Sequence, residues 1–303
     1  MRQHKLALCG EHYPQWIVAQ TQRFIEKYRM FSRQERILVA VSGGKDSLSL
    51  WDILWQLGYA ADGLYIGLGI DGGIGYSAES QRLCEAFASQ RGLHLLTVSV
   101  PDQAGMSVPE LAAQTQRGKN KPCSVCGLTK RHIMNQAALE GGYDVLVTGH
   151  NLDDEAATLF GNTLNWNVGY LLRQSPVLPA RHGGLVRKAK PLCRFYEREM
   201  AAYALVRGIE YIYDECPYAE GSTSIYYKEV FNQMEAERPG VKLSFYLAFL
   251  QAKENGLFGH FPDQDVDERG AGGEKLYTCP SCGQPTTVDG LCSYCRMLAK
   301  VEE

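Results

Sequence analysis

Four short runs of this chain are largely apolar along their whole length instead of alternating: ILVAV (37–41), GLYIGLGI (63–70), LHLLTVSV (93–100) and DVLVTG (144–149). A strand with one solvated face alternates, whereas a strand covered on both faces reads as a continuous run. Helix-length segments stand between and after the runs, at 46–57, 77–91, 126–139 and 153–164, and the first three are followed by Gly58, Gly92 and Gly141-Gly142. This succession restricts the chain to a doubly wound α/β fold with a parallel sheet. At 303 residues and 45% hydrophobic, the chain can bury one such core and carry small appendages.

In an open parallel sheet, ligands bind beyond the carboxyl ends of the strands. Ser42-Gly43-Gly44-Lys45-Asp46-Ser47 stands at that end of the first run and opens the first helix. The glycines let backbone N–H groups approach an anion. The helix terminus contributes about half a positive charge, and Ser42 and Ser47 add hydroxyl donors. Lys45 brings a mobile charge, and Asp46 suits either a helix cap or magnesium. The spacing differs from G-x-x-x-x-G-K-[ST] and from G-x-G-x-x-G. A second segment, TGHNLDDEA (148–156), follows the fourth run at the same sheet edge. Gly149 admits close backbone approach. Asp153 and Asp154 suit a helix cap or a role at a reacting centre, with Asp154 preferred.

Beyond residue 165 the regular alternation stops. A connector, RHGGLVRKAKPL (181–192), precedes helical patterns near 196–207, 222–236 and 240–256. The expected units are an N-terminal segment at 1–35 with a helix over 13–28, the loop-bearing domain at 36–192, a helical extension at 193–258, a Gly- and acid-rich linker at 259–275 and a terminal module at 276–303. A net charge of −3 excludes a globally basic nucleic-acid binder. It leaves room for local patches such as RGKNK (117–121) and RHGGLVRKAK (181–190), which suit phosphates or are simply solvated. No apolar run approaches the ~18–20 residues of a membrane span, and no long apolar leader opens the chain, so a cytoplasmic protein is expected.

Ten cysteines, six of them in Cys-x-x-Cys pairs, point to metal rather than disulfides in a reducing compartment. Cys279, Cys282, Cys292 and Cys295 have the spacing of a zinc ribbon, a module too small to fold without its metal. Cys123 and Cys126 open a predicted helix and leave a metal site short of ligands, unless they are a redox pair or a zinc half-site. Cys216 precedes Pro217, a weak cue for cluster ligation. Cys84 and Cys193 read as core.

SGGKDS resembles the loop of the PP-loop ATP pyrophosphatases, a group with the adenine nucleotide alpha hydrolase-like fold. They bind ATP, adenylate a substrate oxygen and release pyrophosphate. Together with CSVCGLTKRHIMN, GHNLDDEAATLFGN, RGIEYIYDECPYAEG and the terminal double Cys-x-x-Cys, the chain resembles the tRNA 2-thiouridine synthetases over about 8–296. The uridine-54 branch is matched more closely than the cytosolic wobble-uridine thiolases. The resemblance implies a [4Fe-4S] cluster on Cys123, Cys126 and Cys216, with one iron open for sulfur. It implies ATP on Ser42, Gly43, Gly44, Lys45, Asp46, Ser47, Lys130 and Gly149, with adenine against the backbone at Ile66, and magnesium. Lys130 and Asp154 fall at the reacting centre beside Asp46. Implied partners are tRNA, a ubiquitin-like sulfur carrier and a second copy of the chain. The alternatives are a 2-thiocytidine thiolase and a non-catalytic zinc and RNA scaffold. Cys9 and His12 match a remnant of the family's N-terminal zinc finger, and no complete zinc site is expected there. The stretch IDGGIGYSAESQ (70–81) carries more glycine than the resemblance accounts for.

Overall fold

The structure is a computed structural model that describes residues 4, 6–117, 122–180, 184–219, 221–259 and 276–302. The 260–275 part of the expected linker, the 118–121 part of RGKNK and the 181–183 part of RHGGLVRKAK lie outside the described residues. Helix α1 (His12–Lys27) precedes β1 (Ile37–Val41), α2 (Lys45–Gln56), β2 (Ala61–Gly67), α3 (Tyr76–Arg91) and β3 (Leu95–Ser99). Two short helices, α4 (Val100–Ala104) and α5 (Val108–Gln114), lead to α6 (Pro122–Glu140), β4 (Val145–Thr148) and α7 (Leu152–Leu164). Then come α8 (Val168–Arg173), β5 (Val177–Leu178), β6 (Arg187–Ala189), α9 (Glu197–Val206), α10 (Thr223–Glu237) and α11 (Val241–Glu254). The terminal module holds β7 (Tyr277–Thr278), β8 (Pro285–Thr286) and α12 (Ser293–Glu302).

Among the described residues, six strands form one sheet in the order β3-β2-β1-β4-β6-β5. All neighbours are parallel except the β5–β6 pair. The order reverses direction between β1 and β4, and this is the topological switch point at which doubly wound sheets bind ligands. The continuous apolar runs are explained by two buried faces. Ile37, Val39, Val145 and Val147 pack on the side of α1, α2 and α9, whereas Leu38, Leu64 and Leu146 pack on the side of α6. Gly63 in β2 makes room for Trp51 of α2, since a Cβ there would lie 2.5 Å from the indole ring. The segment read as a connector at 181–192 contributes β6, which pairs with β4. Three residues of pairing are too short to announce a strand in the sequence pattern.

Helix ends follow local chemistry. Gly92 takes the left-handed conformation that closes α3 (φ +64°). Ser107 with Glu110 forms a capping box on α5, and Asn151 with Asp154 forms one on α7. No helix among the described residues is long and apolar enough to cross a membrane.

Candidate active site

The SGGKDS loop leaves β1 and enters α2 through a tight corner. Gly43 has φ +71°, and a Cβ on it would lie 2.7 Å from the Ser80 carbonyl oxygen of α3. Ser47 closes the loop, since its Oγ accepts from the Ser42 N–H at 3.1 Å and donates to the Gly44 carbonyl at 3.0 Å. The second loop sits directly against it. A Cβ on Gly149 would lie 2.9 Å from the Ser47 nitrogen, so the backbones of the two loops touch because residue 149 has no side chain. Adjacent parallel strands, β1 and β4, present both loops at the same edge.

A polar cluster joins them. The Asn151 side chain, which caps α7, donates to Asp46 Oδ1 at 3.1 Å. Lys45 Nζ lies 3.1 Å from Asp46 Oδ2 and 2.7 Å from Glu197 Oε1. Lys228 on α10 lies 2.6 Å from Asp154 Oδ1 and 3.1 Å from Glu197 Oε2. Glu197, in the first turn of α9, therefore bridges two lysines. Asp153 serves the fold instead. It is buried, accepts the Glu197 N–H at 2.8 Å and pairs with the buried Lys242, so it ties α9 and α11 to α7. Asp154 is the member of the acidic pair that joins the cluster around the loop.

Burial sets the electrostatics. It raises the Asp46 carboxyl to about 6, against the lowering effect of Lys45 and Asn151 and with added repulsion from Glu197 and Asp154. Burial acts in the same sense on Glu197, but Lys228 and Lys45 outweigh it and hold that carboxyl at about 2. Burial works against the Lys45 ammonium, yet Asp46 and Glu197 keep its pKa above the ordinary value. Sequence reasoning missed Glu197, Lys228 and Asn151. Asn151 carried a signal, as an Asn three residues before Asp154, but nothing local marks the other two.

The Cys123–Cys126 pair and the isolated Cys216 come from two segments near this edge. Cys123 and Cys126 lie in the first turns of α6, and Cys216 lies in the segment between α9 and α10. Cys123 Sγ donates to the Tyr218 carbonyl at 3.4 Å, which brings α6 to the Cys216 segment. Cys126 and Cys216 pack in one apolar cluster with Ile66, the penultimate residue of β2, and Tyr76. Burial raises the Cys126 thiol; the Lys130 ammonium beside it pulls the other way, and Cys216 and Cys123 add to the rise. One glycine of 70–81 has a packing reason. Gly72 has φ +63°, and a Cβ on it would lie 2.2 Å from Pro217, so the chain there is glycine where Cys216-Pro217 passes. Cys84 and Cys193 are core residues whose thiols burial raises to about 12. Cys9 Sγ lies 3.0 Å from His12 Nδ1 on the exposed surface.

In the terminal module the sulfur atoms of Cys279, Cys282, Cys292 and Cys295 all lie within 4.8 Å of one another. The Cys282–Cys292 sulfur separation is 3.8 Å, the edge of a tetrahedron with metal–sulfur bonds of about 2.3 Å. Backbone N–H groups of Cys292 and Cys295 point at Cys279 Sγ (3.3 Å) and Cys292 Sγ (3.4 Å), a setting for thiolates. The module docks on α6: Tyr294 stacks on His132 at 4.1 Å, and Gln284 donates to the His132 carbonyl at 3.1 Å.

The family model of the PP-loop domain matches residues 15–221. The chain is 50% identical over 297 residues to the tRNA-5-methyluridine(54) 2-sulfurtransferase of Thermus thermophilus, covering 98% of this chain and 87% of that one. It is 41% identical over 304 residues to the enzyme of the same name from Thermotoga maritima, covering 100% and 93%. Among solved structures it resembles the U34-tRNA thiolase NcsA from Methanococcus maripaludis with its [4Fe-4S] cluster, with a TM-score of 0.71 and 23% identity over 84% of each chain. That likeness concerns the fold. Motif, sheet topology, paired loops and sequence identity agree, and the chain belongs to the PP-loop tRNA 2-thiouridine synthetases, a sulfurtransferase family, on the branch of the tRNA-5-methyluridine(54) 2-sulfurtransferases.

Proposed function

We propose that this enzyme carries out ATP-dependent 2-thiolation of uridine 54 in tRNA, in the cytoplasm. The observation that carries the reading is the sharing of one sheet edge by the SGGKDS loop, Asp154 and the segment that leads to Cys216, whose Ile212 N–H donates to the Gly43 carbonyl at 2.9 Å, with the Cys126 thiol close enough to Cys123 and Cys216 to feel their charge. Backbone amides of 42–47 and the α2 terminus bind the ATP phosphates, with Lys45 as their counter-charge. Lys45 exchanges Glu197 and Asp46 for phosphate when ATP enters. Asp46 and Asp154 hold magnesium, Gly149 keeps the cleft open, and the backbone at Ile66 receives adenine. The uridine O2 attacks the α-phosphorus, and pyrophosphate leaves. Sulfur then bonds to C2, and AMP departs with the former O2. Lys130 stabilises the negative charge that develops there.

The donor set suits a [4Fe-4S] cluster in its chemistry: three soft thiols come from two elements, with Cys126 close enough to the other two and to Lys130 to feel their charge, and they are one fewer than the cluster has irons. When bound, such a cluster supplies an iron with no protein ligand, able to carry sulfur. The terminal cysteines hold zinc. A ubiquitin-like thiocarboxylate protein as sulfur source and a homodimer complete the reading, both implied by the family resemblance.

The test is anaerobic purification of the parent and Cys216→Ala, with iron, acid-labile sulfide and 2-thiouridine measured on each. The parent is expected to carry about four iron and four sulfide and to thiolate tRNA, while the variant loses both. A parent with zinc alone and no turnover of ATP to AMP would support the scaffold reading instead.

A further inference from the structure

A cavity of about 320 Å³ opens between α6, β6, the end of α8 and the terminal module, on the face of the sheet opposite α2. Three cations line it: Arg131 of α6, Arg173 of α8 and Lys188 of β6. No ion pair with a carboxylate involves any of the three among the described residues. The other described cations of the same basic stretch are spoken for: Arg187 pairs with Glu35, and Lys190 with Glu155. Strand alternation separates Lys188 from Arg187, because Lys188 stands opposite Leu146 and shares its face, toward α6, and Lys190 lies beyond the end of β6.

The charges act on one another. Burial, then Arg131 and Arg173, lowers the Lys188 ammonium to about 8. Burial, then Arg117, with Arg173 adding to it, lowers the Arg131 guanidinium. A cluster of like charges without acids opposes folding, so it does not hold the structure together. An anion in its midst reverses the sign. The surroundings say which anion. Tyr170 lies one turn before Arg173 and close enough to Arg131 to influence its charge, and it is 65% exposed. Trp166, whose carbonyl accepts the Val168 N–H that opens α8, is 73% exposed. An exposed aromatic ring beside an unpaired basic pocket, with a second exposed ring at the other end of the same short helix, is the composition of a surface that receives single-stranded or looped RNA.

We infer that Arg131, Arg173 and Lys188 form a binding pocket for a backbone phosphate of the RNA substrate, built where the terminal module meets the catalytic domain. The inference rests on the tRNA reading and adds a contact away from the reacting centre. It also gives the terminal module a part in substrate binding, because Gln284 and Tyr294, docked on His132, complete one wall of the pocket.

The experiment is tRNA binding by fluorescence anisotropy on the full chain between 50 and 200 mM KCl, for the parent, Arg173→Gln, Lys188→Gln, the double variant and Lys188→Arg. Each single Gln variant is expected to bind roughly 5- to 10-fold more weakly near 0.1 M salt and to flatten the slope of log K against log salt by about 0.7–0.9. The double variant flattens it by about twice that, and Lys188→Arg keeps the parental slope. Unchanged zinc content and melting temperature certify the fold, and Arg173 is exposed, so its removal leaves the core intact. A parent that binds tRNA with variants of equal affinity and slope overturns the pocket and leaves the tRNA reading standing. A parent that binds no tRNA overturns both. Saturable binding of inorganic phosphate, lost in Lys188→Gln while tRNA affinity stays parental, would mark a small-anion site and overturn the RNA assignment.

Discussion

Glu197 holds two lysines in place around the corner of the SGGKDS loop, and single-residue changes there have readable consequences. The Asp46 carboxyl, raised from 3.8 to about 6, binds a proton in the folded protein that the unfolded chain has already released. Between those two values its contribution to stability therefore falls as pH rises, and above about 6 the folded protein carries the buried carboxylate. Carboxyl NMR on the metal-free protein is expected to show Asp46 titrating near 6. Glu197→Gln removes a repulsive neighbour and moves that midpoint down; an unmoved midpoint would detach Glu197 from the cluster. Gly43→Ala meets both a left-handed φ and the Ser80 backbone at 2.7 Å. The conformational cost alone is about 1–2 kcal/mol, and a lowered melting temperature with weakened ATP binding is expected.

At the scale of elements, side chains reaching across the fold decide where the helices sit. Asp52 of α2 is fully buried and pairs with Arg91 of α3 and with Arg207, the residue that follows α9, while accepting the Tyr203 hydroxyl at 2.7 Å. Burial would raise its carboxyl, but Arg207, Tyr203 and Arg91 outweigh it and lower it. A lowered pKa contributes stability above the usual carboxylate range, and that stability is lost as acid protonates the group. Asp52→Ala leaves two guanidinium groups without their carboxylate, and the Tyr203 hydroxyl and Gln56 amide without their acceptor. It is expected to cost on the order of 3 kcal/mol in urea unfolding, far more than a surface pair. Asn151→Ala removes the α7 cap and the bond to Asp46, and about 1 kcal/mol is expected from the cap. ATP affinity should fall with it, which a cap alone would not cause.

For the molecule as a whole, the terminal module packs on the Cys123–Cys126 helix, with its four cysteines placed to share one metal ion. Cys279, Cys292, Tyr294, Cys295 and Met297 share an apolar cluster with Val125 and Ile133 of α6 and with Leu111 of α5. Stripping zinc with a chelator is expected to unfold 276–302 and to expose that face, so proteolysis of α5 and α6 should accelerate while α1 and α9 stay protected. Uniform protection would mean that the module stands apart from the domain's stability.

Much of this was legible in the chain because it is local. A glycine pair after an apolar run, an Asn or Ser three residues before an acid, and four cysteines in two pairs act over a turn or two of backbone. Their geometry follows from the bonds between them, so the SGGKDS corner, the α7 start and the sulfur cluster could be named in advance. The runs ILVAV and DVLVTG also carried the parallel sheet, because burial on both faces leaves its mark on every residue. The tertiary fold decided the rest. Glu197 meets Lys45 across 152 positions of chain, and Lys228 comes from a helix with no motif. The same holds for the pocket, where Lys188, Arg131 and Arg173 look like ordinary solvated cations until strand alternation and packing bring them together without an acid. Charge acts through space, and a single sequence reports distance only along the chain.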